Sequence, residues 1–334
     1  MKAYVISGKN KPLTETEVAE PLLKAGMVHI RMYAAALNHR DLWITKGQYA
    51  GLKYPVIPGS DIAGVVEEVG KDVPGEWVGK NAIINPSHAW GDNEAAQGKD
   101  FRILGMPDKG TLAEIVAIHR EHIFPMPAHL SYVQAAALPL AGLTAWRALM
   151  QRARTQGGEK VLITGTGGGV ALFALQFALA LGAEVWVTSG SPDKLRSAKG
   201  LGAAGGANYR DASWAKDLRA AAGAFDVIID GAGGTGFGDL INLAAPGGRI
   251  AVYGGTVGNY ENISPQKIFW KQLSILGTTM GTTRDFHDML RFVNKHKIVP
   301  IVDEVFPFSE VSAAFNKMES GLQFGKLVVE GIRR

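Results

Sequence analysis

Residues 160–182 read KVLITGTGGGVALFALQFALALG: a short apolar run, a cluster of glycines, then an apolar stretch interrupted only by Gln176. That order predicts a doubly buried strand, a tight turn and a helix, and it limits the chain to folds in which a parallel sheet is built from strand–helix repeats. In such a turn, backbone N–H groups and a helix N-terminus approach a pyrophosphate, and a side chain would hold the phosphates away. The spacing is Gly165-x-x-Gly168-x-x-Ala171 rather than the strict GxGxxG, and alanine is small enough for helix–strand packing. Gly165, Thr166, Gly168, Gly169 and Val170 are therefore the expected phosphate-side contacts of a dinucleotide.

The alternation continues downstream. EVWVTSG, FDVIIDGAG and GGRIAVYGG read as strands closed by glycines, with the helix DKLRSAKGLGA between the first two. Ribose specificity is set at the end of the second strand, where an acidic residue selects the free 2′-hydroxyl. Here the strand ends in Ser189-Gly190-Ser191, with Lys194 and Arg196 behind it. Without a carboxylate, Ser189 and Lys194 suit a 2′-phosphate, so NADP(H) is expected over NAD(H). A solvated helix face explains Lys194 and Arg196 equally simply. Tyr209, Gly231, Gly254 and Gly255 complete the expected cofactor contacts.

At 334 residues the chain suggests two domains, since roughly 150 residues per domain is usual. The first 125 residues differ in texture: VHIRMYAAAL, SDIAGVVEEVG and GKNAIINP read as strands of a mainly β lobe. The last 55 residues mix helix and strand without a sheet of their own, so they are expected to return to that lobe. There is no cysteine, which removes disulfides, thiolate metal sites and thiol nucleophiles. Net charge is +4 with scattered basic residues, which permits a nucleic-acid partner without implying one. Neither a signal peptide nor a membrane span is read, and a cytoplasmic location is the default.

ALNHRDLWITKGQY, YPVIPGSDIAGVVEEVG, GTLAEIV, AAALPLAGLTAWRAL and the glycine turn follow one another as in the medium-chain dehydrogenase/reductase superfamily, which the chain resembles over nearly its whole length. The resemblance implies an α/β protein with a GroES-like, mainly β catalytic domain (1–125 and 278–334) and a Rossmann, doubly wound parallel-sheet domain (126–277). Zinc-dependent members place a catalytic metal on positions that read Asn38, Ser60 and Leu140 here, a set that cannot supply three ligands. The structural-zinc lobe corresponds to SHAWGDNEAAQGKDFRILG, where His88, Asp92, Glu94 and Asp100 are the conceivable donors and a polar surface loop is the simpler reading. What remains resembles the zinc-free, zeta-crystallin-like quinone oxidoreductases.

Without a Lewis acid, the substrate must be easier to reduce than a simple carbonyl: a quinone, or an alkene conjugated to a carbonyl. The resemblance carries Asn38 and Asp41 over as pocket residues, joined by Tyr49 as a hydrogen-bond donor and His39 as a proton relay. A helix-start role is as good an account of His39, and N-capping of Asp41. Arg40 is expected at the surface or a domain contact. Trp43, Trp90 and Trp270 are candidates for an aromatic wall or for core. Lys326 stands where the family brings a polar residue towards the cofactor phosphates, or is a surface lysine at a strand start. A 2-enoyl thioester reductase, a relative of the zinc-type alcohol dehydrogenases and a low-turnover NADPH-binding protein remain alternatives. The resemblance also implies a homodimer or homotetramer, with IAVYGG and the segment after it pairing across a two-fold axis.

Overall fold

The computed structural model describes residues 1–261 and 263–331. The chain divides into two compact units, Met1–Leu143 with Gly281–Arg334, and Thr144–Met280.

The first unit is organised on a seven-stranded sheet. Its path runs Val302–Pro307, Lys326–Glu330, Met27–Ala36, Asp61–Val69, Asn81–Ile84 and Ile123–Pro125, with Ile115–His119 also paired to Met27–Ala36. All pairings are antiparallel except the first, Val302–Pro307 with Lys326–Glu330. The strand Met27–Ala36 is central, pairing with three others, and Val28, Ile30 and Met32 alternate into the core with Ile62, Val66, Val329 and Phe315. At Gly64 a Cβ would lie 1.9 Å from the Arg31 carbonyl oxygen, so only glycine lets the two strands approach. The helix Thr283–His296 starts at Thr282, whose hydroxyl accepts from Asp285 N–H at 3.0 Å while Asp285 Oδ2 accepts from Thr282 N–H at 2.9 Å. Its buried residues Phe286, Met289, Leu290 and Val293 keep helical spacing.

The second unit is an all-parallel six-stranded sheet in the order Gly205–Asn208, Glu184–Ser189, Lys160–Ile163, Phe225–Asp230, Ala244–Val252, Ser274–Gly277. Strands one and four in chain order lie side by side, so the topology reverses direction between Lys160–Ile163 and Phe225–Asp230, the crevice at which such sheets bind ligands. The helix Gly169–Ala180 buries Ala171, Leu172, Phe173, Leu175 and Phe177, which is why its sequence carries no polar stripe.

Two boundaries differ from expectation. The unit border falls at Thr144 rather than near 126, because the helix Tyr132–Ala137 packs on Met27–Ala36 and Asp61–Val69 of the first unit. The strand containing IAVYGG is internal, hydrogen-bonded on both sides, and the edge is the next strand, Ser274–Gly277. IAVYGG is thus closed to pairing across a two-fold axis. Among the described residues no helix is long and apolar enough to cross a membrane.

Candidate active site

In the first unit the NHRD segment opens the helix His39–Thr45 directly after the central strand. The carboxylate of Asp41 accepts from Asn38 N–H at 2.8 Å on one oxygen and from Gly59 N–H at 3.2 Å on the other. Fully buried, it ties the helix start to the PGSD turn. Burial pushes its carboxyl above the usual carboxylate range, against the pull of Arg40 and the Asn38 N–H. Both Asp41 oxygens are thus engaged by backbone N–H groups, the arrangement of a helix-start brace.

Asn38 is buried, and its side chain lies in a compact network. Lys326 Nζ donates to Asn38 Oδ1 at 2.6 Å and to Asp61 Oδ2 at 3.0 Å. Asn38 Nδ2 donates to the same Asp61 oxygen at 2.9 Å, and Leu140 N–H donates to Asp61 Oδ1 at 2.8 Å. Lys326 is 4% exposed and Asp61 fully buried, so the lysine is neither a surface residue nor turned towards solvent. Losing one partner of such a pair strands a buried charge.

Arg40 is also buried, contrary to expectation. Its Nη1 donates to Ser60 Oγ and to the Leu104 carbonyl, both at 2.7 Å, and its Nε donates to Tyr49 Oη at 3.2 Å. The Tyr49 oxygen thus accepts, which leaves the phenol hydrogen free to donate elsewhere. His39, beside Asn38 on the helix start, is exposed. Asp61 escaped the sequence reading, and Arg40 was expected at the surface or a domain contact. The only local sign of Asp61 is a charged residue opening the apolar pattern IAGVV, and Arg40 has none.

In the second unit the glycine turn has Gly165 at φ +65° and Gly167 at φ +127°, the left-handed region that favours glycine. A Cβ on Gly165 or Gly168 would project into open space, while the first N–H groups of the helix at Gly169 and Val170 have no acceptor within the helix. The Thr166 hydroxyl is buried and, among the described residues, has no hydrogen-bond partner. An open glycine surface, a helix start and an orphaned hydroxyl suit a pyrophosphate. Lys194 lies along Gly167, where a Cβ would sit 3.2 Å from its Nζ. Tyr209 Oη and Arg210 Nε would each be 2.8 Å from a Cβ on Gly190, so a second cation stands at the end of the second strand, one that sequence reasoning missed.

Ser189 differs from expectation: it is buried and donates to the Thr166 carbonyl at 3.2 Å, so it braces the turn from within. At the same C-terminal edge of the sheet, a Cβ on Gly231 would fall 2.3 Å from the Tyr253 ring and one on Gly254 would fall 3.0 Å from Gly231 O, so the Tyr253 ring covers Gly231 and the backbones of the two glycines approach closely. In the first unit Trp43 lies in the Asn38 helix and Trp90 packs edge-on against Phe101; in the second, Trp270 is 84% exposed. In the loop expected to correspond to the structural-zinc lobe, His88 stacks on His122 at 3.8 Å and Glu94 pairs with Arg284 at 3.4 Å.

Residues 24–128 match the family model of the alcohol dehydrogenase GroES-like domain, and residues 169–295 match that of the zinc-binding dehydrogenases. The chain is 34% identical to the zinc-type alcohol dehydrogenase-like protein YogA of Leptosphaeria maculans, across 96% of this chain and 94% of that one. It belongs to the medium-chain dehydrogenase/reductase superfamily. Within the superfamily it is also similar to the quinone oxidoreductase of Mus musculus, at 27% identity over 98% of this chain and 96% of that one. A crystal structure of an NAD-dependent alcohol dehydrogenase superposes with a TM-score of 0.92 at 36% identity, covering 99% of each chain. As a medium-chain dehydrogenase/reductase the protein is an oxidoreductase with a GroES-like and a Rossmann-like domain.

Proposed function

We propose that this medium-chain oxidoreductase uses NADP(H) to reduce quinones or α,β-unsaturated carbonyls without a catalytic metal. The observation that carries the reading is the state of the three positions at which the resemblance expects zinc ligands. The Asn38 amide oxygen is held by the Lys326 ammonium, the Ser60 oxygen receives the Arg40 guanidinium, and Leu140 has no donor atom in its side chain. Two fixed cations and an apolar side chain do not fit a divalent ion, which needs three protein ligands and is repelled by like charge. Relatives named for alcohol and for quinone chemistry are both similar to this chain, and the donor set favours the second.

Bound NADPH supplies the hydride. The turn from Gly165 to Val170 holds its pyrophosphate through backbone N–H groups, with the Thr166 hydroxyl as a further donor. Lys194, Arg210 and Tyr209 select the 2′-phosphate through charge and hydrogen bonding. The second Asn38 Nδ2 hydrogen and the Tyr49 hydroxyl donate to the oxygen on which charge develops, the work otherwise done by a Lewis acid. His39, exposed beside them, passes the proton from solvent. The acting partner is a small electrophile, and the site requires neither membrane nor nucleic acid.

The test is steady-state turnover with 1,4-benzoquinone, cyclohexenone and a simple aldehyde, each with NADPH and with NADH. The quinone or enone is expected to exceed the aldehyde by at least tenfold in kcat/KM, with NADPH preferred. A preference for the aldehyde with NADH would overturn the assignment.

A further inference from the structure

The contact between Asn38 and the pair Lys326–Asp61 constrains more than the packing of three side chains. An asparagine amide has an acceptor end and a donor end of nearly the same shape, and which end faces where is decided by its neighbours. Here Oδ1 faces an ammonium at 2.6 Å and Nδ2 faces a carboxylate at 2.9 Å. Flipping the amide would set its oxygen against Asp61 and its NH2 against Lys326, so both contacts would become repulsive. The ammonium bridges the two acceptors, and Leu140 N–H occupies the remaining Asp61 oxygen. Among the described residues Nδ2 makes a single hydrogen bond, which leaves one of its two hydrogens for an outside acceptor. A cation on Oδ1 also draws electron density from the amide and strengthens that remaining donor.

We propose that Lys326 and Asp61 are positioning residues that fix and polarise the Asn38 amide, so that its second Nδ2 hydrogen is presented to the acceptor oxygen of the substrate. The inference rests on the proposed reduction and assigns the pair a task different from the phosphate contact expected of Lys326. Neither residue touches substrate; both act through Asn38.

The test uses the full chain. Lys326→Met removes the ammonium, and the double variant Asp61→Asn with Lys326→Met removes both charges, so that no carboxylate is left stranded should the single variant fail to fold. Turnover is normalised to NADPH-binding sites. Both variants are expected to lose at least tenfold in kcat with KM for NADPH within twofold. Wild-type kcat per site in the double variant would overturn the proposal, as would a raised NADPH KM at unchanged kcat, which would return Lys326 to the phosphates. A second readout does not depend on turnover: with 15N-asparagine and Asn38→Asp for assignment, one Asn38 Nδ2 proton should exchange slowly in the wild type and rapidly in the double variant. Equal exchange in the two proteins would also overturn it. If the wild type reduces no acceptor while the slow proton is present, the functional reading falls and the amide orientation stands.

Discussion

Lys326 and Asp61 are 265 positions apart in the chain, yet ammonium and carboxylate meet at 3.0 Å in the interior of the first unit. The contact joins the last strand to the start of the strand Asp61–Val69, and the two ends of the sequence are needed to build it. Removing one partner leaves the other charge buried, at a cost of about 3–5 kcal/mol. Lys326→Met is expected to lower unfolding stability by an amount of that order, and Asp61→Asn with Lys326→Met to recover much of it. Urea unfolding monitored by tryptophan fluorescence checks both; equal loss in the single and double variants would contradict the pairing.

Gly168 is where the cofactor site separates from the fold. It precedes the helix Gly169–Ala180 with φ −80°, a conformation open to alanine, and a Cβ there would have no atom of the described residues within 4 Å. Gly168→Ala is therefore expected to change stability by no more than about 1 kcal/mol, the scale of an altered N-cap. Because the methyl would stand in the path of the phosphates, NADPH affinity measured by calorimetry should fall at least tenfold. Unchanged affinity would remove the turn from the site.

In the proposed reading, cofactor choice rests on Lys194 and Arg210. A charge-assisted contact to phosphate is worth about 1.5–3 kcal/mol, so Lys194→Ala or Arg210→Ala should raise KM for NADPH roughly tenfold or more and leave KM for NADH nearly unchanged. Equal effects on both cofactors would mean that neither side chain meets the 2′-phosphate.

His88 and His122 give the fold a pH dependence. Burial, with help from mutual repulsion and from Arg102, lowers His88 to about 3, and burial lowers His122 to about 4 despite Glu121. Among the described residues, His88 Nε2 and His122 Nδ1 have no hydrogen-bond partner. Both rings are neutral in the folded protein at pH values where the unfolded chain, with an ordinary histidine near 6.5, already binds protons. Stability is therefore on a plateau above pH 6.5 and falls as pH drops towards 4. The loss is on the order of 3 kcal/mol or more, because each tenfold difference in proton affinity between folded and unfolded chain is worth about 1.4 kcal/mol. His122→Leu should flatten this part of a urea-midpoint profile, and an equally steep profile in the variant would assign the slope to carboxylates.

A second copy of the chain is the expected partner of the strand Ser274–Gly277. This edge of the parallel sheet carries exposed Ile275, and Phe269 and Trp270 on the preceding helix are 58% and 84% exposed. Unpaired edges of this kind are covered in native proteins, often by symmetric pairing. Light scattering should report a dimer or tetramer, with Trp270→Glu and Ile275→Lys together shifting it to monomer. A wild-type monomer at micromolar concentration would contradict the assignment.

The second unit was legible because its signals are local: apolar runs, glycines and helical stretches follow one another within a few residues, and the strand, turn and helix around Gly165–Ala171 stand where the sequence places them. The internal position of IAVYGG was not legible. The strand that covers it is only SILG, too short to stand out. In the first unit the NHRD segment marked a buried polar network, but the use of its residues is fixed by distant partners. Asp41 is held by Gly59, Arg40 by Leu104, and Asn38 by Lys326, 288 positions away. The direction of Ser189 was not legible either, since its hydroxyl points back to Thr166.

Hydride transfer without a metal is met most directly by one experiment. NADPH oxidation is followed with 1,4-benzoquinone and with cyclohexenone, before and after exhaustive dialysis against a strong chelator, and again after adding zinc. The same kcat is expected in all three states, with less than about one-tenth of an equivalent of zinc in the active protein. Activity that disappears with the chelator and returns in proportion to bound zinc would contradict metal-free transfer.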